Sequence, residues 1–343
     1  MISWRNSGRA FWLSLTLPMA AGVLFIVSWP WVFVMVVLFV VPVLDAVIGR
    51  GIAGEGQVME KKDEVQVPLW FVFAWIVVIG IGACRSSTAS WMDLIGFAVA
   101  SGILSSTAMA HLHELAHRSS SLWREVSDIG FVIAGYPHYR TAHQLHHQHV
   151  GNQRFGSTAS VGTSVWRHVG CSYTAALISS FSRHSYRDGK VPRHLFRNVL
   201  FSLLMLISAV FLKTRIAMFY VGYVIVSVFV VEAVGYMQHY GFDRHACRAT
   251  ITAWDVDFWL SNRLLINNGF HNAHHRHSGD PFMRLTAQSI TLPGGYFQML
   301  WLTLFPSLWF SVMNRRTEIL LRRQRRRCLT LRNQIFCDSC KIR

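Results

Sequence analysis

The sequence predicts an all-α membrane protein of about six transmembrane helices, with a histidine-rich domain on the cytoplasmic face. Three observations carry this reading. About half of the 343 residues are hydrophobic and only 15% are charged, against roughly 25% in soluble domains. Six apolar runs approach the length of about 20 residues that crosses a bilayer. Nine of the 17 histidines fall into four tight clusters, each at the end of an apolar segment.

The elements follow in chain order. Residues 1–9 are a short basic lead. Residues 10–29 and 31–48 form the first two spans, with Pro18 and Pro42 inside them. Membrane helices tolerate such prolines, so no kink is required. No cleavage motif of small residues separates the two runs, so they read as a retained hairpin and not as a signal peptide. A charged connector follows over 50–64. Its Gly51-Ile-Ala-Gly-Glu-Gly56 stretch lacks the Lys-Ser/Thr of a phosphate-binding loop. Residues 68–83 and 91–110 form a second hairpin, and its second arm runs without a breaker into the first histidine cluster. Residues 122–137 are apolar but short, and read as a buried or re-entrant helix. The polar, basic stretch 140–197 carries the second cluster. Residues 198–212 and 216–236 form the third hairpin, and the last two clusters follow it. Residues 290–313 are apolar but broken by Pro293, Gly294, Gly295 and Pro306, and read as a segment against the membrane face or beneath the histidines. Residues 315–343 carry ten Lys or Arg and read as a solvated tail near anionic headgroups.

No internal repeat is visible. The whole reads as one integral-membrane domain. Two hairpins lie at 10–110, two cytoplasmic histidine clusters at 111–197, and the third hairpin at 198–238. The remaining clusters and the membrane-face segment lie at 239–314, and the tail at 315–343.

The formal net charge of +16 does not call for nucleic acid. Lys and Arg crowd the cytoplasmic side of membrane proteins. With the N-terminus inside, the outward loops hold only Arg85, Lys213 and Arg215 as basic residues, and all four histidine clusters fall inside together with the C-terminus. Charge and histidine placement thus agree on one topology, and a bacterial inner membrane is the expected location. Six scattered cysteines, mostly on that side, argue against disulfides. Cys337-Asp-Ser-Cys340 has no second pair and no nearby histidine to make a zinc site.

The clusters are His113-x-x-x-His117, His143-x-x-His146-His147, the single His239, and His271-x-x-His274-His275. On a helix, residues three and four apart share a face, so each cluster can turn its ring nitrogens to one side. Nine imidazoles exceed the coordination of one ion, so two metals fit better. Imidazole alone suits Zn, Cu, Fe or Ni. The soluble di-iron pattern of Glu-x-x-His pairs is absent. His111 points to the other side of its helix from His113. His138, His149, His168, His184, His194, His245 and His277 likewise read as ordinary surface or core residues.

At this point the chain resembles the integral-membrane alkane hydroxylases, within the wider membrane desaturase/hydroxylase superfamily. His113-Glu-Leu-Ala-His117-Arg118 is similar to that family's first box. Gly235-Tyr-Met-Gln-His239-Tyr-Gly241 is similar to its single-histidine segment, and His271-x-x-His274-His275 with Pro281 to its last box. Pro42-x-x-Asp45-x-x-x-Gly49, Leu292-Pro-Gly-Gly-Tyr296 and Phe305-Pro-Ser-Leu-Trp-Phe310 resemble further stretches, so the likeness covers roughly residues 42–315. Three departures stand out. The second box has the shorter gap found in desaturases. Gly235 and Gln238 stand where Asn and Glu are usual. An acidic stretch expected after the second box is replaced by a Gly/Ser/Thr-rich one at 155–165.

The resemblance implies two non-haem irons, O₂ as co-substrate, and electrons from a rubredoxin- or ferredoxin-type donor. It implies hydroxylation of an alkane or similar apolar chain. A desaturase or terminal-alkene-forming fatty acid decarboxylase is the rival that the short second box favours. A metal transporter would need polar groups well inside several spans, whereas these histidines sit at span ends. Ligand histidines commonly give their second N–H to a carboxylate, and Asp45 and Glu114 are assigned that role. Glu232 lies on the face of His239, about 10 Å deeper, and is a candidate to support a ligand or touch substrate. Gly96, Ala98, Ala100, Gly102, Ala108 and Ala110 could leave an apolar channel or permit close helix packing.

Overall fold

The computed structural model describes residues 8–51, 63–243, 251–287 and 290–340, with backbone only at residue 63 and from residue 324 onward. Most of the expected connector at 50–64 lies outside the described residues, as do His245, Cys247 and most of the basic lead. Within them the fold is helical, with isolated bridges and no strand.

The helices are α1 (Thr16–Ile26), α2 (Pro30–Met35), α3 (Val41–Ile48), α4 (Asp63–Ser86), α5 (Trp91–Ala116), α6 (Ser121–Ile133) and α7 (Tyr139–Gln148). They continue with α8 (Val165–Phe181), α9 (Arg193–Leu212), α10 (Thr214–His239), α11 (Trp259–Leu264), α12 (His271–Arg276), α13 (Tyr296–Leu304) and α14 (Pro306–Cys340). Six stretches are long and apolar enough to cross a membrane: Gly8–Ile26, Pro30–Ile48, Glu64–Ser86, Trp91–Ala116, Arg193–Leu212 and Thr214–His239. Each overlaps one of the six expected runs, and the chain is an integral membrane protein. The first span opens as a 3-10 helix (Gly8–Leu15), and the second contains a π-helical stretch (Val36–Val40) directly before Pro42. Pro30 opens α2, where a missing N–H costs little, and Pro18 and Pro42 lie just past the points where the 3-10 and π-helical stretches pass into α1 and α3.

α5 is the central helix. Ser90 caps its N-terminus, accepting from the Asp93 N–H at 3.1 Å, which satisfies one of the free amides of the first turn. It packs mainly on α4 and α10. Its small residues resolve the choice between channel and packing. A side chain at Gly102 would place its Cβ 2.5 Å from Val226, and one at Gly96 would fall 2.7 Å from the Trp31 indole. These are close-packing glycines, and of the six small residues only Ala110 lines the cavity described below. Trp75 of α4 donates to the Ser105 hydroxyl at 3.0 Å, one polar tie across an otherwise apolar seam.

The short apolar segment expected at 122–137 is α6, a helix of 13 residues. The broken run at 290–313 divides at Pro306 into α13 and the start of α14. The basic tail continues α14 as a helix to Cys340, and Thr317 and Leu320 are buried at its base. Their packing against the body extends the helix past the point where charge begins to dominate.

Candidate metal centre

Four helix ends converge. α5 ends on His113 and His117, α7 carries His143, His146 and His147, α10 ends on His239, and α12 carries His271, His274 and His275. The nine rings form two groups able to hold a metal ion: His113, His117, His143, His147 and His274 in one, and His146, His239, His271 and His275 in the other. Neighbouring histidines are split between them, His146 from His147 and His274 from His275. The groups touch where the His147 and His275 rings lie 4.5 Å apart.

The nitrogen geometry excludes a plain hydrogen-bond network. His143 Nε2 lies 2.8 Å from that of His113, 3.0 Å from that of His117 and 2.8 Å from that of His147. In the second group the Nε2 atoms of His239, His271 and His275 form a triangle with sides of 3.0, 3.0 and 3.3 Å. A ring nitrogen that carries a proton has no in-plane lone pair with which to accept, so a closed triangle cannot be satisfied by N–H donors. Nitrogens bound to one metal at about 2.1 Å, at right angles, would lie about 3.0 Å apart. The donor set therefore fits two metal ions.

The charge state agrees. Burial pushes the His117 ring down to about 4 and the His147 ring down to about 3. His143, His146, His271, His274 and His275 are pushed well below the ordinary imidazole range, first by burial and then by their neighbours. All of these rings are neutral at pH 7, the form that binds metal. His239 Nδ1 donates to the Thr252 carbonyl at 3.0 Å, which leaves the Nε2 lone pair for the metal. Among the excluded histidines, His111 stands apart. His111 stacks on Phe71 at 3.8 Å and donates to the Thr107 carbonyl at 3.1 Å.

The role expected of Asp45 and Glu114 is corrected. Neither carboxylate bonds to a histidine ring. Asp45 accepts from the Ser261 N–H at 3.0 Å and from its hydroxyl at 2.6 Å. Ser261 is in the first turn of α11, whose own N-cap residue, Phe258, offers no side-chain acceptor. Asp45 thus caps α11 from another part of the chain, satisfying amides the helix leaves free. Glu114 pairs with Arg118 and accepts from the Phe282 N–H at 3.2 Å. Both acids anchor distant backbone. Two other acids reach ligand-bearing helices: Asp128 pairs with Arg140 of α7 at 2.9 Å, and Asp255 holds the start of α12. Asp255 is fully buried and accepts from the Asn272 N–H at 2.9 Å, at the start of α12. The Asn272 amide in turn accepts from the Thr252 N–H at 2.9 Å. Sequence reasoning missed Asp255 because it lies in an irregular stretch with no periodicity to aim it.

A narrow cavity of about 90 Å³ opens onto both groups. His113 and His143 border it from one, and His146, His239 and His271 from the other. It follows α5 down to Ser106 and α10 down to Val231 and Glu232, a depth of about 10 Å at 1.5 Å per residue. Met109, Ala110, Val234 and Leu265 supply apolar wall. Glu232 does line this space, and the Tyr136 hydroxyl donates to it. Gln238 is held by its Nε2, which donates to Tyr296 at 2.5 Å.

The class these features define is an integral-membrane protein with a polyhistidine centre for two metal ions. The sequence pattern of the fatty acid desaturase family matches residues 89–289. That is more than half of the chain, which belongs to this family. It is similar to alkane 1-monooxygenase 2 of Pseudomonas aeruginosa, 26% identical over 84% of this chain and 84% of that protein. Alkane 1-monooxygenase 1 of the same organism is 26% identical over 83% of this chain and 82% of its own length. The alkane 1-monooxygenase of Acinetobacter baylyi is 26% identical over 81% of this chain and 74% of its own. The chain thus lies in the alkane-monooxygenase-like branch, and it is an oxidoreductase of the desaturase/hydroxylase superfamily.

Proposed function

We propose that the protein is a non-haem di-iron monooxygenase that hydroxylates a C–H bond of an alkane or similar apolar chain. Dioxygen and electrons from a rubredoxin- or ferredoxin-type donor are consumed: substrate, O₂, two electrons and two protons yield an alcohol and water. The observation that carries this reading is the cavity bordered by both histidine groups and running along α5 and α10 away from them. A hydrolytic metal site has no need of a recess running about 10 Å along two membrane helices beneath it; a C–H bond buried in a chain does.

The nine histidines would hold the irons, which together with O₂ supply the oxidising power to remove hydrogen from an unactivated carbon. The protein's own part is orientation and exclusion. Met109, Ala110, Val234 and Leu265 give the chain an apolar bed in line with the ligands. The Glu232–Tyr136 hydrogen bond joins α10 to the segment before α7 and bounds the deep end. Thr252 sets the tautomer of His239, and Asp255 fixes the start of α12. The placement of the histidines on the cytoplasmic face, with both termini inside, follows from the basic residues of the loops.

The test is metal analysis of the purified protein followed by product identification. Two irons per chain and a primary or secondary alcohol from an alkane are expected. A terminal alkene from a fatty acid, with no alcohol from the alkane, would replace hydroxylation by the desaturase-type outcome that the short second box favours.

A further inference from the structure

Gly235 lies inside α10, one turn before His239, and lines the cavity. Glycine is among the least favourable residues in a helix interior, so its presence there has a cost that two usual reasons do not explain. Backbone conformation is not the reason. Gly135 and Gly241 have φ values of 76° and 81°, whereas Gly235 is not among the glycines with positive φ. Close packing is not the reason either. A Cβ at Gly102 would fall 2.5 Å from Val226, and at Gly130 2.2 Å from Leu112. At Gly235 it would meet nothing nearer than the Ser157 hydroxyl at 3.5 Å, an ordinary contact. What the glycine supplies is room for a ligand against the backbone. Ser157 lines the same cavity, and a Cβ at 235 would touch it, so the recess between them is about one methyl group wide, level with the approach to His239. The Glu232–Tyr136 bond bounds the space one turn deeper. The extra room is therefore width beside the histidines and not length.

We infer that Gly235 is a specificity-determining residue, and that the recess it leaves admits a methyl branch of a hydrocarbon chain or ring beside the histidine groups. This rests on the monooxygenase reading above. Side chains at 235 would narrow the cavity to a slender chain without disturbing the helix.

The experiment uses the full-length, iron-loaded protein and its Gly235→Ala and Gly235→Leu variants. Methylcyclohexane and n-octane are supplied together, and their alcohols are quantified. The ratio of cyclic to linear product is expected to fall about threefold in Gly235→Ala and more than tenfold in Gly235→Leu. Gly235→Ala is also expected to melt higher than the parent, because alanine favours the helix. Opposite movement of stability and of the product ratio is not what a merely structural role produces. An unchanged ratio in both variants, with iron retained, overturns the inference. If the parent yields no alcohol from either compound, the monooxygenase reading fails by itself. The melting shifts that saturating methylcyclohexane and n-octane give the same three proteins then decide. A methylcyclohexane shift lost selectively in Gly235→Leu supports the recess, and equal shifts in all three overturn it.

Discussion

Two membrane helices, α5 and α9, look alike in sequence and differ in what they do. α9 has the higher mean hydropathy, 2.1 against 1.4, yet 17% of it is buried in the protein against 83% of α5. In water the ranking would run the other way. In a bilayer the lipid tails are as apolar as leucine, so apolarity does not drive a helix inward. What draws α5 in is its small residues and its polar end. Gly96 and Gly102 let Trp31 and Val226 approach the backbone, Ser105 ties it to Trp75, and His113 and His117 commit its end to the centre. α9 turns Phe211, 87% exposed, and Leu200, Leu203, Leu204 and Leu212 outward.

The largest effect that sharpens this contrast is at the end of α5. His113→Ala or His274→Ala should lower metal affinity by at least about 100-fold, the upper end of what even indirect partners of a ligand cost, and abolish turnover. Metal content after dialysis checks it. His111→Phe, on the same helix but outside both groups, should keep its metal.

Acidification comes next. Above pH 6.5 the ligand rings are neutral whether folded or unfolded. Below it, unfolded rings take up protons that the folded His117 refuses down to about 4 and the folded His147 down to about 3. Their contribution is therefore complete above pH 6.5 and is lost as pH falls toward those values. A falling melting temperature should track that window, and an unchanged melting temperature between pH 6.5 and pH 4 would contradict it.

A smaller effect tests packing. Gly102→Val should destabilise by roughly 1–3 kcal/mol through overpacking. The smallest is on the lipid side. Phe211→Leu on α9 should stay within about 0.5 kcal/mol. Denaturation in matched detergent measures both, and equal effects at the two sites would break the contrast between inner and outer helices.

Much of the centre was legible in the chain. Spacings of three and four residues aim His143, His146 and His147 to one side of any helix, whatever surrounds it, and the six spans follow from length and hydropathy. Other parts were not legible. Asp45 and Glu114 stand near span ends where an acid could meet a ligand. Which amide or cation each reaches depends on where α11 and Phe282 arrive from more than 160 residues away in the chain.

The sequence by itself determined the six apolar helices, their length for crossing a membrane and which side chains are able to bind metal, because periodicity and hydropathy are local properties. The tertiary structure alone decided that His146 and His147 serve different metal groups, that Asp255 anchors α12, and that Gly235 opens onto a cavity. Each of those depends on the rotation and docking of one helix against another, and a local pattern does not encode the angle at which distant helices meet.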